Sequence, residues 1–191
     1  MPQNVTRKIL LGSKSPRRNQ LLGACNIDFE IAEIDTEEIY DDNMNRYDVP
    51  VFLSQKKSNA YIPTLAKNEI LITCDTVVIC ENIIFEKPKS KDEAVKMLLN
   101  YRNKSHDVVT GVTLRSNSKS YSFYAITKVY FNNLKIEDIN YYVDNFEPYD
   151  KAGAYGIQEF IGHIGIEKIE GSYNNVVGLP TEKLIQELEK F

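Results

Sequence analysis

The segment Ile70-Leu71-Ile72-Thr73-Cys74-Asp75-Thr76-Val77-Val78-Ile79-Cys80 constrains the fold more than any other part of the chain. A near-continuous apolar run of this kind is the pattern of a central strand, buried on both faces of a sheet. Asp75 interrupts it. A carboxylate inside a buried strand is costly unless it is paired, hydrogen-bonded or bound to a metal. That makes Asp75 a candidate for function before anything else is considered. Glu81-Asn82 reads as a hairpin turn, returning the chain through Ile83-Ile84-Phe85 to Glu86-Lys87-Pro88.

A second constraint lies near the start. Ile9-Leu10-Leu11 breaks at Gly12 into Ser13-Lys14-Ser15-Pro16, with Arg17 and Arg18 following. Ser15 suits a helix N-cap and Pro16 the first helical position. Leu21, Leu22 and Cys25 then recur at helical spacing, so the stretch reads strand, tight loop, helix. Both arginines fall in the first turn, where unpaired N–H groups and the helix dipole already favour an anion. Two readings fit: a solvated basic helix start, or a polyphosphate held by guanidinium forks, serine hydroxyls and backbone N–H groups.

Strands and helices alternate along the rest, which points to an α/β fold. Phe29-Glu30-Ile31-Ala32 reads as a short strand running into an acidic loop that contains Glu37 and Glu38. Asp48-Val49-Pro50 starts a helix carrying Lys56 and Lys57, which by pattern alone are surface lysines. Ser90-Lys91-Asp92-Glu93 is a capping box for a helix with Ala94, Met97, Leu98 and Tyr101 on its apolar face. Two long strands follow over 106–115 and 121–131, joined by Ser116-Asn117-Ser118, then a helix over 136–143. His106 is read as a structural hydrogen-bonding residue, and His163 shows no ligand pattern. A last helix from Thr181 should bury Leu184, Ile185 and Leu188.

Composition bounds the chemistry. At 191 residues, 42% hydrophobic and 10% aromatic, the chain fits one domain, 1–191, with a real core. A net charge of −4 argues against nucleic acid as the partner, and a local basic site in an acidic protein points to a small anionic ligand. The three cysteines have no zinc-like spacing and are expected to be reduced core residues. No signal-like segment and no run of membrane-spanning length stands out, so a soluble, cytoplasmic protein is expected. No Walker-type phosphate loop is present.

Four ordered blocks carry a resemblance over nearly the whole chain. They are Ser13-Lys14-Ser15-Pro16-Arg17-Arg18 with Leu21-Leu22, Asp75-Thr76-Val77-Val78 with Glu86-Lys87-Pro88, Asp150-Lys151-Ala152-Gly153-Ala154-Tyr155-Gly156-Ile157-Gln158, and Gly171-Ser172-Tyr173-Asn174-Asn175-Val176-Val177-Gly178-Leu179-Pro180. Together they resemble the Maf, or septum-formation, family of nucleoside triphosphate pyrophosphatases. The resemblance implies a mixed, curved sheet in two lobes around a central cleft, the Maf/ITPase-like form of the α/β class. It implies hydrolysis of a nucleoside triphosphate to monophosphate and pyrophosphate, in a house-cleaning role. The third block is similar to the dTTP/UTP-directed form, whereas the sister group acting on 7-methyl-GTP lacks its Ala-Tyr-Gly-Ile-Gln run. That sister activity, or a non-catalytic nucleotide-binding regulator of cell division, is the alternative.

The site residues implied by the resemblance are assigned position by position. Ser13, Arg17 and Arg18 would bind phosphate. Lys57 is carried over from Leu53-Ser54-Gln55-Lys56-Lys57-Ser58, where two alanines of the family pattern are serines. Lys87 would neutralise charge, and Gln158 with Thr76 would recognise the base. Asp75 and the loop carboxylate Glu38, with Glu37 as the other option, would hold a divalent cation, Mg²⁺ or Mn²⁺. Asp75 is either that metal's ligand or the base that takes a proton from water. The expected partner is a small nucleoside triphosphate, with no nucleic acid and no membrane, and a homodimer is compatible with it.

Overall fold

The structure, a computed structural model, describes residues 7–191. Its strands form one seven-stranded mixed sheet in the order β2-β1-β3-β5-β6-β7, with β4 on β3. In chain order these are β1 (Lys8–Gly12), β2 (Phe29–Ile31), β3 (Glu69–Cys80), β4 (Ile83–Phe85), β5 (Ser105–Arg115), β6 (Ser120–Phe131) and β7 (Ile166–Glu170). The helices are α1 (Pro16–Ala24), α2 (Val49–Ala60), α3 (Lys91–Tyr101), α4 (Ile136–Phe146), α5 (Phe160–Gly165), α6 (Tyr173–Val177) and α7 (Thr181–Lys190). The chain divides into two compact units, and β3, β5 and β6 each contribute to both.

The first unit comprises the chain up to Asp75, Thr110–Ala125 and Gly178–Phe191. Here β1 pairs in parallel with β2 on one side and with β3 on the other, Ile9 opposite Ile70 and Leu11 opposite Ile72. Successive strand residues point to opposite faces, so Ile9, Leu11, Ile70 and Ile72 pack with Leu22, Leu184 and Leu188. Leu10 and Leu71 pack on the other face with Ala32 and Leu65. Both faces of β1 and β3 are therefore covered, as the apolar run demands. In α7, Leu184 and Leu188 are buried, whereas Ile185 is only half-buried.

The second unit comprises Thr76–Val109 and Ile126–Val177. The hairpin from β3 to β4 pairs Cys80 with Ile83 across Glu81 and Asn82. Both turn residues have positive φ, 50° and 63°, the left-handed backbone conformation that a two-residue hairpin turn needs to match the right-handed twist of its strands. Ser90 caps α3, accepting from the Glu93 N–H at 3.2 Å, and the Glu93 carboxylate returns to the Lys89 N–H at 2.8 Å. The unit's core is built on Leu98, Tyr101, Val129, Ile139, Tyr142 and Ile161. His106 is buried in it, its Nε2 at 2.7 Å from the Tyr155 hydroxyl, and burial lowers its pKa to about 3. It is a neutral core residue, and its bond to Tyr155 is the structural hydrogen-bonding role expected of it.

Some local expectations were not met. Ser15 precedes α1 but its side chain makes no capping bond, and the same holds for Asp48 before α2. The short elements α5, β7 and α6, six, five and five residues long, carry too little periodicity to be read from sequence. Cys25, Cys74 and Cys80 are free thiols, the last two buried. Among the described residues no helix is long and apolar enough to cross a membrane.

Candidate active site

In the first unit the seating of α2 decides which of its side chains reach the sheet. At Gly111 of β5 a Cβ would lie 2.3 Å from the Pro50 carbonyl carbon and 2.4 Å from the Val51 nitrogen, so only glycine admits the helix backbone there. Polar bonds fix its rotation. The Thr73 hydroxyl donates to the Ser54 carbonyl at 2.7 Å, and the Ser54 and Thr113 hydroxyls bond to one another at 2.7 Å. Ser54 occupies one of the positions where the family pattern carries alanine, and its hydroxyl also donates to the Val51 carbonyl at 2.8 Å.

So seated, α2 directs Lys57 onto two carboxylates. Its Nζ lies 2.5 Å from Asp75 Oδ1 and 2.7 Å from Glu38 Oε1. The Lys57 side chain is 14% exposed and that of Asp75 8%, whereas Glu38 is 45% exposed. Burial pushes the Lys57 ammonium down, but Asp75 and Glu38 outweigh it, and its pKa ends above the ordinary lysine range. Lys57 is therefore charged at neutral pH. Neighbouring Lys56 turns outward and donates to the Ile39 carbonyl at 3.0 Å. Of the two acidic-loop options, Glu38 is the one that reaches Lys57.

At the start of α1 the Ser13 oxygen accepts from the Ser15 N–H at 3.2 Å and from Arg18 Nη1 at 3.4 Å. Its own hydroxyl proton thus remains available to a further acceptor. The Arg18 guanidinium is spoken for in part: Nε donates to the Gly178 carbonyl at 2.9 Å and Nη1 to the Cys74 carbonyl at 3.0 Å. Sequence reasoning assigned Arg18 to phosphate alone and missed this backbone anchoring, which ties the middle of β3 and the start of 178–191 to α1. Arg17, beside it, is half-buried. Cys74 is fully buried under this cluster, and burial pushes its thiol up despite Arg18 and Lys57.

Thr76, Lys87 and Gln158 belong to the second unit. Lys87 is exposed and follows Glu86, whose carbonyl accepts from the Gly153 N–H at 3.1 Å. The glycines of the 150–158 block serve the protein's own packing. A Cβ at Gly153, where φ is +73°, would sit 2.8 Å from a Val78 methyl and 3.0 Å from the Tyr101 hydroxyl. Gln158 is half-buried, with its Oε1 buried and without a hydrogen-bond partner among the described residues. Beside it stands a network that sequence reasoning missed: Tyr142, Glu159 and Lys151. Lys151 lies inside the 150–158 segment, and its burial to 9% exposure is the signal that structure adds.

Among the described residues no group of three or more His, Cys, Asp or Glu side chains could hold a metal ion. Asp75 and Glu38 form a pair, and the pair already holds a cation, the Lys57 ammonium. Hard divalent ions take oxygen ligands, and Mg²⁺ is commonly held by one or two carboxylates together with substrate phosphates and water. The donor set fits that mode.

Comparison with known proteins gives a consistent result. The Maf family, described as "Maf-like protein", matches residues 8–191. The "dTTP/UTP pyrophosphatase" of Parabacteroides distasonis is 46% identical over 185 residues, covering 96% of each chain. That of Flavobacterium johnsoniae is 44% identical over 181 residues, 95% of this chain and 93% of the other. Among solved structures, the Staphylococcus aureus Ham1 protein matches with a TM-score of 0.52 at 16% identity, covering 96% of this chain and 99% of that one, a likeness of fold.

Proposed function

The chain belongs to the Maf family, and from that premise we propose that it hydrolyses nucleoside triphosphates, dTTP and UTP foremost, to the monophosphate and pyrophosphate. The observation that carries this reading is Lys57, clasped between the buried Asp75 and the loop carboxylate Glu38. A pure nucleotide binder gains nothing from carboxylates placed where phosphates must come. Relatives bearing the dTTP/UTP name favour this reading over 7-methyl-GTP hydrolysis or a non-catalytic regulator.

In the reaction, water attacks the α-phosphorus and the bond from that phosphorus to the bridging oxygen breaks. Pyrophosphate leaves with the bonding electron pair, and water's proton must be taken up. In this reading Asp75 would take it as general base, or would instead be a ligand of the divalent cation. Lys57 passes from its carboxylates to the phosphates and, with Arg17, Arg18 and Lys87, offsets the charge that gathers on the leaving group. Ser13 donates its free hydroxyl proton to a phosphate oxygen. Asp75 and Glu38 would hold Mg²⁺ or Mn²⁺, which would supply Lewis-acid charge neutralisation at the phosphates.

Base choice falls to Gln158, supported by Thr76. Uracil and thymine offer an N3–H donor beside the O4 acceptor, which a glutamine amide complements with its oxygen and nitrogen. Gln158 Oε1 is an acceptor lacking a donor. Leaving such a group unpaired costs about 1–3 kcal/mol, which an incoming N3–H relieves. The test is pyrophosphate release from UTP, dTTP, CTP, ATP, GTP and 7-methyl-GTP with Mg²⁺ or Mn²⁺, and after treatment with EDTA. UTP and dTTP should lead, and EDTA should abolish turnover until metal is restored. Preference for 7-methyl-GTP, or absence of pyrophosphate with every substrate, refutes the proposal.

A further inference from the structure

A glutamine amide by itself separates uracil from cytosine poorly. Half a turn about its last torsion exchanges donor and acceptor, so that it matches O4 and N3–H in one orientation and the cytosine amine and N3 in the other. Discrimination requires something that fixes the amide. The second unit contains a device with that geometry.

Two residues before Gln158, Gly156 has no Cβ, and the place of one is taken by other side chains. A Cβ there would meet Gln158 Nε2 at 3.0 Å and Glu159 Oε2 at 2.8 Å, so the amide's nitrogen end and the Glu159 carboxylate share that space. A carboxylate accepts hydrogen bonds and repels an amide oxygen. Its charge therefore favours the orientation that brings Nε2 to its side and Oε1 away from it, and Oε1 is the atom that has no hydrogen-bond partner among the described residues.

Glu159 is itself held on both oxygens. The Tyr142 hydroxyl donates to Oε2, and Lys151 Nζ lies 3.2 Å from Oε1. Tyr142 is fully buried, and the same hydroxyl accepts the Gly156 N–H at 3.0 Å. Burial, and after it the bond to Glu159, push the Tyr142 phenol well above its ordinary range, so it stays a donor. Lys151 has Asp150 as a second partner at 2.8 Å. From the other side α5 presses against the same stretch: a Cβ at Gly162 would stand 2.0 Å from the Ile157 carbonyl oxygen. The backbone on either side of Gln158 is thus pinned by contacts that do not involve its own amide.

We propose that Glu159, held by Tyr142 and Lys151, is a specificity-positioning residue that sets the Gln158 amide in the orientation reading uracil and thymine and rejecting cytosine. The inference rests on the base-recognition role given to Gln158 above and adds what enforces it. Glu159→Gln keeps the shape and removes the charge, so neither orientation of the neighbouring amide is favoured. Tyr142→Phe keeps the packing and frees Glu159 and the Gly156 N–H together.

The experiment measures kcat/KM for UTP and for CTP in the wild type, Glu159→Gln, Tyr142→Phe and Gln158→Ala, with thermal unfolding of each. The ratio of UTP to CTP should fall about tenfold in Glu159→Gln, with the two substrates moving in opposite directions. Tyr142→Phe should lower the ratio in the same sense, and it carries the test if Glu159→Gln does not fold. A merely structural role lowers both substrates together and leaves the ratio unchanged, which overturns the inference. If Gln158→Ala removes the preference while Glu159→Gln and Tyr142→Phe retain it, the inference fails and the base-recognition reading stands. If Gln158→Ala keeps the wild-type ratio, both fail.

Discussion

Replacing Asp75 with asparagine tests the centre of the site, because it keeps the shape and removes one charge. In the structure Asp75 Oδ1 lies 2.5 Å from Lys57 Nζ, with both side chains largely buried. At an effective dielectric constant of about 20 the pair attracts by roughly 6–7 kcal/mol, most of it offset by desolvation. Removing one member of a fully buried pair costs ~3–5 kcal/mol. Lys57 retains the half-exposed Glu38 at 2.7 Å, so a smaller loss of ~1–3 kcal/mol is expected, a fall in Tm of roughly 3–10 °C for a chain of this length. Turnover should drop by about 10²–10⁴-fold if Asp75 takes the proton. The stability loss also has a pH signature. The folded pKa of Lys57 is raised, so its contribution is fully present below the unfolded value of 10.5 and is lost as pH rises through the higher folded value. Wild type and Asp75→Asn should therefore differ most at neutral pH and converge above pH 10.5. Chemical denaturation from pH 7 to 11, with pyrophosphate release at pH 8, reads both effects. A folded Asp75→Asn protein with kcat within about threefold of wild type removes Asp75 from the chemistry. Equal stability at neutral pH refutes the ion pair.

Gly111→Ala probes the seat of α2 without touching the site. The new methyl would meet the Pro50 backbone at 2.3 Å, and the helix has to back away by about 1 Å, costing ~1–3 kcal/mol. A displacement of that size in the helix carrying Lys57 should lower kcat by up to about 10²-fold, and unchanged Tm and kcat in this variant would falsify the seating argument. His106→Gln tests the buried imidazole. The folded pKa is lowered to about 3 while the unfolded chain takes its proton near 6.5, so folding stability falls with decreasing pH through that window. The wild type should lose up to ~1.4 kcal/mol per pH unit more than His106→Gln there, and parallel urea midpoints between pH 7 and 4 contradict it.

The features legible in the sequence are those whose physics is local or stands against a uniform background. Asp75 showed because a carboxylate in an apolar strand has few innocent explanations. The Glu81-Asn82 turn and the Ser90–Glu93 cap showed because their partners lie within a few residues. Arg18 misled as a free fork because the carbonyls it anchors, Cys74 and Gly178, are 56 and 160 residues away. Tyr142 and Glu159 are 17 residues apart, and neither position carries a pattern that announces the other.

Lys56 and Lys57 make the boundary plain. Side by side in a helix, they point about 100° apart, and both are unremarkable surface lysines in the sequence. Which of them reaches the carboxylates depends on how α2 is rotated over the sheet. That rotation is set where Gly111 admits the Pro50 backbone and where Thr73 and Thr113 bond to Ser54. Gly111 bears no reactive group, and Thr73 and Thr113 touch none of the ionised groups through the bonds that seat the helix. Yet they turn Lys57 inward to Asp75 and leave Lys56 on the Ile39 carbonyl. A residue without chemistry thus selects which lysine has it, through contacts too distant in sequence for composition or periodicity to reveal.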